Sequence, residues 1–391
     1  MRYIVIVCLS IMLVHTSNMV FSQAKFIPGK TKGLMPYIEY GPGDDRLGGA
    51  KMTYIDTGVL VKVIDSLATD YIIELAPSFS AFILKSSVRL DTTYPVKPFY
   101  LSGNWRTFSD ARFDYITIDL PEKLPYRASM LVNPSRLAID LFGITSNTNW
   151  ITQTGKPSEI RNVWLEQIQN GIFRVYIDLK SKLHWGYSVY YDSTSTKLTI
   201  RVKHAPDKKL KNVFVAIDAG HGGDNSGAAG NVSGRSEKSL TLAYALALEK
   251  ELKKSGVQRV FMTRRNDTSL SMPQRIKMLR DTMPDLLVSI HFNSSSVGTV
   301  NGTSTFYRHI GFRPLTQTIL KRMGELNLNV FGNVGSFNFA LSGPTDFPNC
   351  LVEVAFLSNH NNEKFILSKR GALDVAKKIK QGIKDWIELE R

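Results

Sequence analysis

The hydrophobic positions between about residues 26 and 205 follow the two-residue period of β-strands. β-branched and aromatic residues alternate or cluster in short runs, and turn residues such as NPS and DSTS separate the runs. No long run with the 3.6-residue period of a helix interrupts them. The clearest runs are ARFDYITIDL (111–120), SRLAIDLFGI (135–144), FRVYIDLKSKL (173–183) and KLTIRVKHA (197–205). The pattern predicts a β-rich N-terminal region, divided into a small β module over residues 26–95 and a second β domain over residues 96–205.

A polar segment with one proline, HAPDKKLK (204–211), is typical of a linker, and beyond it strands alternate with helices. The predicted strands are NVFVAID (212–218), VQRVFMTR (257–264), LLVSIHF (286–292), TSTFYRH (303–309) and CLVEVAFL (350–357). The predicted helices are SEKSLTLAYALALEKELKKSG (236–256), SMPQRIKMLRDTM (271–283) and KRGALDVAKKIKQGIKDWIELER (369–391). Near-continuous apolar strands in this order predict an α/β domain over residues 210–391, a mostly parallel twisted sheet flanked by helices.

Two of the predicted helices carry local signals for their ends or their buried face. Ser271 and Gln274 stand at the spacing of a capping box, and Pro273 falls in the first turn of the same helix. In the helix before it, Ala245, Leu248 and Leu252 lie on one stripe, which predicts that this stripe faces the sheet.

The first 22 residues have the pattern of a secretory signal peptide. One arginine precedes an apolar stretch over residues 3–14, and small or polar residues then suit cleavage before Gln23. A retained membrane anchor is the alternative; a lipoprotein site at Cys8 is disfavoured because Val7, before it, is not a small residue. The pattern predicts a protein exported to the cell envelope, in the periplasm.

Export limits how cysteine can stabilise the protein. The chain has two cysteines, so removal of the signal peptide would leave Cys350 alone and no intramolecular disulfide. Cys350 stands inside the apolar run CLVEVAFL, where we expect it to act as a small buried hydrophobe.

The formal net charge of +15 predicts attraction to an anionic partner. Nucleic acid is disfavoured because the chain is predicted to be exported and contains no run of five or more basic residues. Anionic polymers of the cell envelope or lipid head groups fit the compartment better. A lysine-rich, solvated surface without a binding role is the alternative.

Candidate chemistry lies where the strands of the α/β domain end. His221 stands among glycines in AIDAGHGGDNSGAAG (216–230), directly after the first strand, and His291 ends the strand LLVSIHF. Glu237 opens the first helix, and Glu353 stands in the strand CLVEVAFL. The carboxyl ends of the strands form the edge at which such sheets carry their sites. Two imidazoles and a carboxylate are a common catalytic zinc set, and a carboxylate among apolar neighbours has the raised pKa of a useful base.

Each of these residues alone has a simpler interpretation. His221 beside a glycine turn can be structural, and Glu237 is a favourable charge at a helix N-terminus. His291 can be a core histidine, and Glu353 can be the buried partner of Arg264 or Arg275. Four such residues at one rim favour the metal site over these separate explanations.

With these residues in view, the stretch from about 212 to 391 resembles the zinc-dependent N-acetylmuramoyl-L-alanine amidases of the cell-wall amidase-3 family. The motifs that carry the resemblance are IDAGHGGDNSGAAG, SEKSLTLA, MTRRND, DLLVSIHFN, GTSTFY and LVEVAFLSN, in the family's order. The resemblance implies that His221, Glu237 and His291 hold Zn²⁺ and that Glu353 is the catalytic glutamate, with Arg264 structural. It implies hydrolysis of the amide between the lactyl group of N-acetylmuramic acid and L-alanine of the peptidoglycan stem peptide.

The resemblance also bears on partners. Residues 96–205 resemble the AMIN domain, which targets such amidases to the envelope, and residues 30–92 faintly resemble an SH3-like barrel; a plain spacer is the alternative for the latter. Some family members cover the metal with a helix after the second histidine until an activator displaces it. Here only SSSVGTV separates Asn293 from Asn301, so we expect a site that is not blocked in this way.

Two other function classes remain as alternatives. A zinc peptidase or deacetylase acting on the same polymer is disfavoured because HExxH and similar spacings do not occur. A wall-binding protein without activity is disfavoured because the expected ligands and Glu353 are all in place.

Overall fold

The N-terminal region is built mainly from antiparallel β-sheet. The computed structural model of the protein describes residues 26–43, 48–97 and 99–390, so the predicted signal peptide lies outside the described residues. The first sheet has the strand order β3-β2-β6-β5-β4-β1-β7, and every neighbouring pair is antiparallel. Its strands are β1 Ile27–Thr31, β2 Tyr37–Glu39, β3 Lys51–Tyr54, β4 Leu60–Ser66, β5 Asp70–Ala76, β6 Phe79–Leu84 and β7 Val88–Leu90.

Eleven further strands follow among the described residues between 99 and 203. They form two main sheets, ordered β14-β9-β10-β18-β17 and β11-β12-β16-β15, and the short pair β13-β8. The strands are β8 Tyr100–Leu101, β9 Trp105–Ser109, β10 Phe113–Ile118, β11 Tyr126–Val132, β12 Ser135–Phe142, β13 Ile144–Thr145, β14 Ile151–Gln153, β15 Ile160–Gln169, β16 Ile172–Leu179, β17 Tyr187–Tyr191 and β18 Leu198–Lys203. The buried residues of this part and of the first sheet form one continuous hydrophobic cluster, so the two parts share a core.

The C-terminal part is a six-stranded sheet with helices on both faces. Its strand order is β20-β19-β21-β24-β22-β23, in which only β22 and β24 pair antiparallel. The elements are β19 Val215–Ala219, α1 Glu237–Lys254, β20 Val260–Met262, α2 Met272–Thr282, β21 Leu286–Asn293, β22 Thr303–Phe306, α3 Arg313–Met323, β23 Val330–Val334, β24 Asn349–Phe356, α4 His360–Ile366 and α5 Gly371–Glu388. The predicted fold class, a mostly parallel sheet with helices after a β-rich region, is confirmed; α3, β23 and α4 were not predicted.

The side chains of β19 are buried on both faces of the sheet. Val215 and Ile217 join the hydrophobic cluster formed with α1, α3 and α5, whereas Ala216 joins the smaller cluster formed with α2. This period of two matches strands that are buried on both sides.

The local signals at the helices act as the sequence predicts. The Ser271 hydroxyl accepts from the Gln274 N–H, and the Gln274 side chain accepts from the Ser271 N–H, which completes the capping box at the start of α2. On α1, Ala245, Leu248 and Leu252 are fully buried against the sheet. In the described part of the chain, none of the helices is both long and apolar enough to cross a membrane.

The β-rich region packs directly against the C-terminal domain. The Trp185 and Trp386 rings lie 4.5 Å apart, which joins the segment after β16 to α5. At the end of the chain, the Glu390 carboxylate accepts from the backbone N–H groups of Lys182 and Leu183. The segment predicted as a linker therefore connects two parts that are in contact.

Candidate metal centre

His221, Glu237 and His291 meet at the carboxyl edge of the parallel strands. His221 follows β19 by two residues, His291 stands near the end of the adjacent strand β21, and Glu237 is the first residue of α1. One ligand atom from each of the three residues lies within 4.8 Å of those of the other two. Side chains from three separate segments are thus gathered at one point.

The Glu237 carboxylate lies between the two imidazoles. Its Oε2 is 3.0 Å from His221 Nε2, and its Oε1 is 3.2 Å from His291 Nδ1. The same two oxygens accept from the backbone N–H groups of Ala228 and Phe292. Burial raises the pKa of Glu237, but the two neighbouring histidines outweigh burial and hold this pKa well below its ordinary value. Glu237 is therefore an anion whose orientation is fixed from four directions.

Asn225 fixes the tautomer of the neutral His221 ring, so that the nitrogen facing Glu237, Nε2, is an acceptor. The Asn225 Oδ1 atom accepts from the Gly227 N–H and lies 2.9 Å from His221 Nδ1, so Nδ1 must be the donor. A neutral His221 then directs the lone pair of Nε2 at the Glu237 carboxylate. Two acceptors 3.0 Å apart require a cation between them, either a proton or a metal ion.

The donor set fits zinc. Ligands held tetrahedrally at about 2.0–2.2 Å from Zn²⁺ lie about 3.3–3.6 Å from one another. The two Glu237 oxygens lie 3.0 and 3.2 Å from the two imidazoles, and one ligand atom from each residue lies within 4.8 Å of the other two. Two imidazole nitrogens and one carboxylate also leave a fourth position for water or substrate. The three residues are therefore suited to hold a catalytic zinc ion.

Two buried arginines fix the backbone that carries His221. Arg264 donates to the carbonyl oxygens of Ala219 and Gly220 and to that of Lys238 in α1, which ties the turn to the helix that carries Glu237. Arg275 donates to the carbonyl oxygens of Ala219 and His221. These bonds support the structural role expected for Arg264.

Arg275 also forms a buried ion pair with Asp218. Its Nη1 lies 2.5 Å from Asp218 Oδ1, and both side chains are 1% exposed. Burial raises the pKa of Asp218, but the Arg275 charge outweighs burial, and the pKa is lowered on balance. Asp218 is thus the ion-pair partner of Arg275 beneath the turn that carries His221.

Glu353 lies beside the three candidate ligands. It is aligned with His291 in the parallel pairing of β21 and β24, and it lines the same open cavity as His221, Glu237 and His291, with a volume of about 450 Å³. Phe337 and Phe339 also line this cavity, and the Phe339 ring is 5.7 Å from that of His291. The cavity thus has polar and aromatic lining residues, and Phe337 and Phe339 are called its aromatic wall below.

The sequence did not reveal three features of this site. Asn225 acts through the turn geometry, Arg275 acts through a tertiary contact, and the aromatic wall comes from a segment outside the quoted motifs. The only sequence signal for Asn225 is a polar residue within a glycine-rich turn after a strand. Among the expected residues, the structure brings His221, Glu237, His291 and Glu353 together.

Known proteins resemble this part of the chain. Residues 215–385 match the sequence profile of a family described as N-acetylmuramoyl-L-alanine amidase. The probable cell wall amidase LytH of Staphylococcus saprophyticus is 29% identical over 193 residues, 49% of this chain and 64% of that protein. The N-acetylmuramoyl-L-alanine amidase AmiC of Escherichia coli is 28% identical over 220 residues, 44% of this chain and 52% of that protein.

A solved structure also resembles part of the chain. The catalytic domain of CwlV, an N-acetylmuramoyl-L-alanine amidase from Bacillus (Paenibacillus) polymyxa, is 34% identical, with a TM-score of 0.43; the match covers 45% of this chain and 98% of that one. The chain spans 64% and 52% of the length of the two curated relatives named above.

Proposed function

We propose that the chain, whose residues 215–385 match the sequence profile of the N-acetylmuramoyl-L-alanine amidase family, hydrolyses peptidoglycan. The bond cleaved is the amide between the lactyl group of N-acetylmuramic acid and L-alanine of the stem peptide. The observation that carries the proposal is the meeting of His221, Glu237 and His291 in one cavity with Glu353.

In this proposal the three gathered residues hold Zn²⁺. When bound, zinc supplies Lewis-acid chemistry, which polarises a carbonyl group and lowers the pKa of water toward about 7. Asn225 keeps the Nε2 lone pair of His221 available for the metal by accepting from Nδ1. The backbone N–H groups of Ala228 and Phe292 hold the Glu237 carboxylate in place.

Glu353 is proposed as the general base and acid. Its carboxylate accepts a proton from the attacking water as the carbon–oxygen bond forms. It then passes that proton to the nitrogen of L-alanine as the carbon–nitrogen bond breaks. The products are a free lactyl carboxylate on the glycan and a stem peptide with a free amino terminus.

The protein is proposed to work in the cell envelope, in the periplasm, after removal of residues 1–22. The β-rich N-terminal parts, one AMIN-like and one SH3-like, are proposed to bind peptidoglycan. The basic surface is proposed to bind anionic polymers of the envelope. Nucleic acid is not a proposed partner. A protein activator or recruiter is a further possible partner.

The protein is proposed to be active without an activator that displaces a helix from the metal site. Residues 294–302 form turns and extended segments, with no helical residue in that stretch. Digestion by the purified full chain should therefore match digestion with added envelope extract. A strong stimulation by the extract would overturn this part of the proposal.

The test is digestion of purified peptidoglycan followed by mass spectrometry of the soluble products. The wild type should release stem peptides that begin with L-alanine, and both Glu353→Gln and chelator treatment should abolish that release. Glu388→Gln, an exposed change at the end of α5, is the matched control and should retain activity. Cleavage within peptides or loss of acetyl groups would instead identify a peptidase or a deacetylase, and absence of products would favour a wall-binding protein.

A further inference from the structure

The aromatic wall of the cavity belongs to a segment whose side chains alternate between two sides. Phe337 and Phe339 line the cavity beside the candidate metal ligands. Asn338, between them, is directed to the other side, where its Nδ2 donates to the carbonyl oxygen of Gly49 at 2.8 Å. The segment therefore presents one face to the cavity and the other to the N-terminal sheet.

Arg308 adds a second connection at the same place. Its Nη1 donates to Asn338 Oδ1 at 3.3 Å, and its Nη2 donates to the carbonyl oxygen of Lys51 in β3. The Tyr54 side chain, also in β3, lines the same cavity as Arg308. Thus one guanidinium bridges the N-terminal sheet and the back of the aromatic wall, in a geometry that its rigid fork of donors permits.

The N-terminal sheet also approaches the end of this segment closely. A Cβ atom added to Gly343 would lie 2.8 Å from Tyr54 Cε2, so glycine is needed for that contact. Within the C-terminal domain, the Phe337 N–H donates to the Tyr307 carbonyl oxygen at 3.0 Å. The wall is thus supported by its own domain on one side and by β3 on the other.

We propose that Asn338 and Arg308 are positioning residues, through which the N-terminal sheet sets the place of Phe337 and Phe339 against bound substrate. This inference rests on the proposed amidase function. Because Phe339 packs beside His291, we expect the wall to contact the methyl groups of the lactyl unit and of L-alanine that flank the scissile amide. The N-terminal sheet then contributes to substrate binding without touching the substrate.

The test compares Asn338→Ala and Arg308→Lys with the wild-type full chain. Arg308→Lys keeps the charge, but a single ammonium group cannot reproduce the fork that bridges Asn338 and Lys51. Each variant should raise KM about five- to tenfold and change kcat less than about twofold, because the wall contacts substrate while the reacting groups stay in place. Asn329→Ala, which removes a hydrogen bond to Asn301 elsewhere in the domain, is the matched control and should leave KM unchanged.

Hydrogen exchange gives a second readout that does not require activity. The Phe337 amide should exchange at least about tenfold faster in both variants than in the wild type, and at the wild-type rate in Asn329→Ala. Unchanged exchange at Phe337 together with unchanged KM would overturn the inference. If the wild type releases no stem peptides, the proposed function fails, and the exchange measurement still decides whether the N-terminal sheet positions the wall.

Discussion

The backbone of Gly220 lies directly against the imidazole ring of His291. A Cβ atom added at Gly220 would lie 2.3 Å from His291 Cε1 and 2.4 Å from Nε2, which is well inside van der Waals contact. The ring is 7% exposed and is also held by Glu237, so it has little room to move. His291 can therefore occupy this position only because residue 220 is a glycine.

We expect Gly220→Ala to lose most of its bound zinc and to be destabilised by about 1–3 kcal/mol, the usual cost of overpacking a filled site. Elemental analysis of the purified protein and thermal unfolding measure the two effects. Gly41→Ala is the control, because a Cβ atom at Gly41 would meet nothing within 4 Å. Full zinc content in Gly220→Ala would show that His291 is not a ligand or can shift without loss.

Glu353→Gln separates the proposed proton transfer from metal binding. The amide has nearly the shape of the carboxylate but cannot accept the proton of water, so the rate of hydrolysis should fall about 10²–10⁴-fold. Zinc content should stay at the wild-type level, since the three proposed ligands are unchanged. A fall in zinc content equal to the fall in activity would instead make Glu353 a ligand.

The sequence revealed those parts of the fold and site that depend on local pattern. α1 and α2 were predictable because a buried stripe and a capping box are encoded within a few residues. His221, Glu237 and His291 could be placed together because the carboxyl ends of parallel strands share one edge of the sheet.

Features that depend on distant contacts could not be predicted in this way. Helix α3 has no capping side chain at Phe312, and its start is marked locally by Pro314 in the first turn, without a capping box. Leu315, Ile319 and Met323 follow a helical period. The aromatic wall is 46 residues or more from His291 in the sequence, and only the fold brings the two together. The contact of the wall with Gly49 spans 289 residues.

The buried pair of Arg275 and Asp218 should dominate the stability of the site's backbone. Arg275→Ala leaves the Asp218 carboxylate buried without its charge partner and frees the His221 carbonyl oxygen, so we expect a loss of about 3–5 kcal/mol in the free energy of unfolding. Urea unfolding of the zinc-free protein measures this loss in the free energy of unfolding. Lys277→Ala, which breaks an exposed pair with Asp281 on the same helix, should cost about 0.5 kcal/mol or less.

A double-mutant cycle tests whether that loss comes from the ion pair. Asp218→Asn combined with Arg275→Ala removes both charges, so the double variant should be less destabilised than the sum of the two single changes. Additive losses would mean that Arg275 acts mainly through its bonds to backbone carbonyl groups.

Glu159 should make stability depend on pH far from the metal centre. Its side chain is 4% exposed and accepts from the Ser181 N–H and hydroxyl group, and burial raises its pKa from 4.5 to about 7, with Glu390 and Asp114 adding to the rise. The folded state therefore holds a proton that the unfolded chain has lost between about pH 4.5 and 7. Since the folded state binds more protons in that window, its stability falls as the pH rises and is lowest above about pH 7.

Glu159→Gln should remove this part of the pH dependence, because the amide stays neutral and its oxygen can still accept from Ser181. The variant should be close to the wild type at pH 4.5 and more stable than the wild type at pH 8, by up to about 3 kcal/mol for a shift of this size. Thermal unfolding at both pH values measures the difference, and Glu166→Gln, in β15 beyond the buried cluster, is the matched control. A stability difference that stays constant between pH 4.5 and 8 would mean that Glu159 keeps its ordinary pKa in the folded protein.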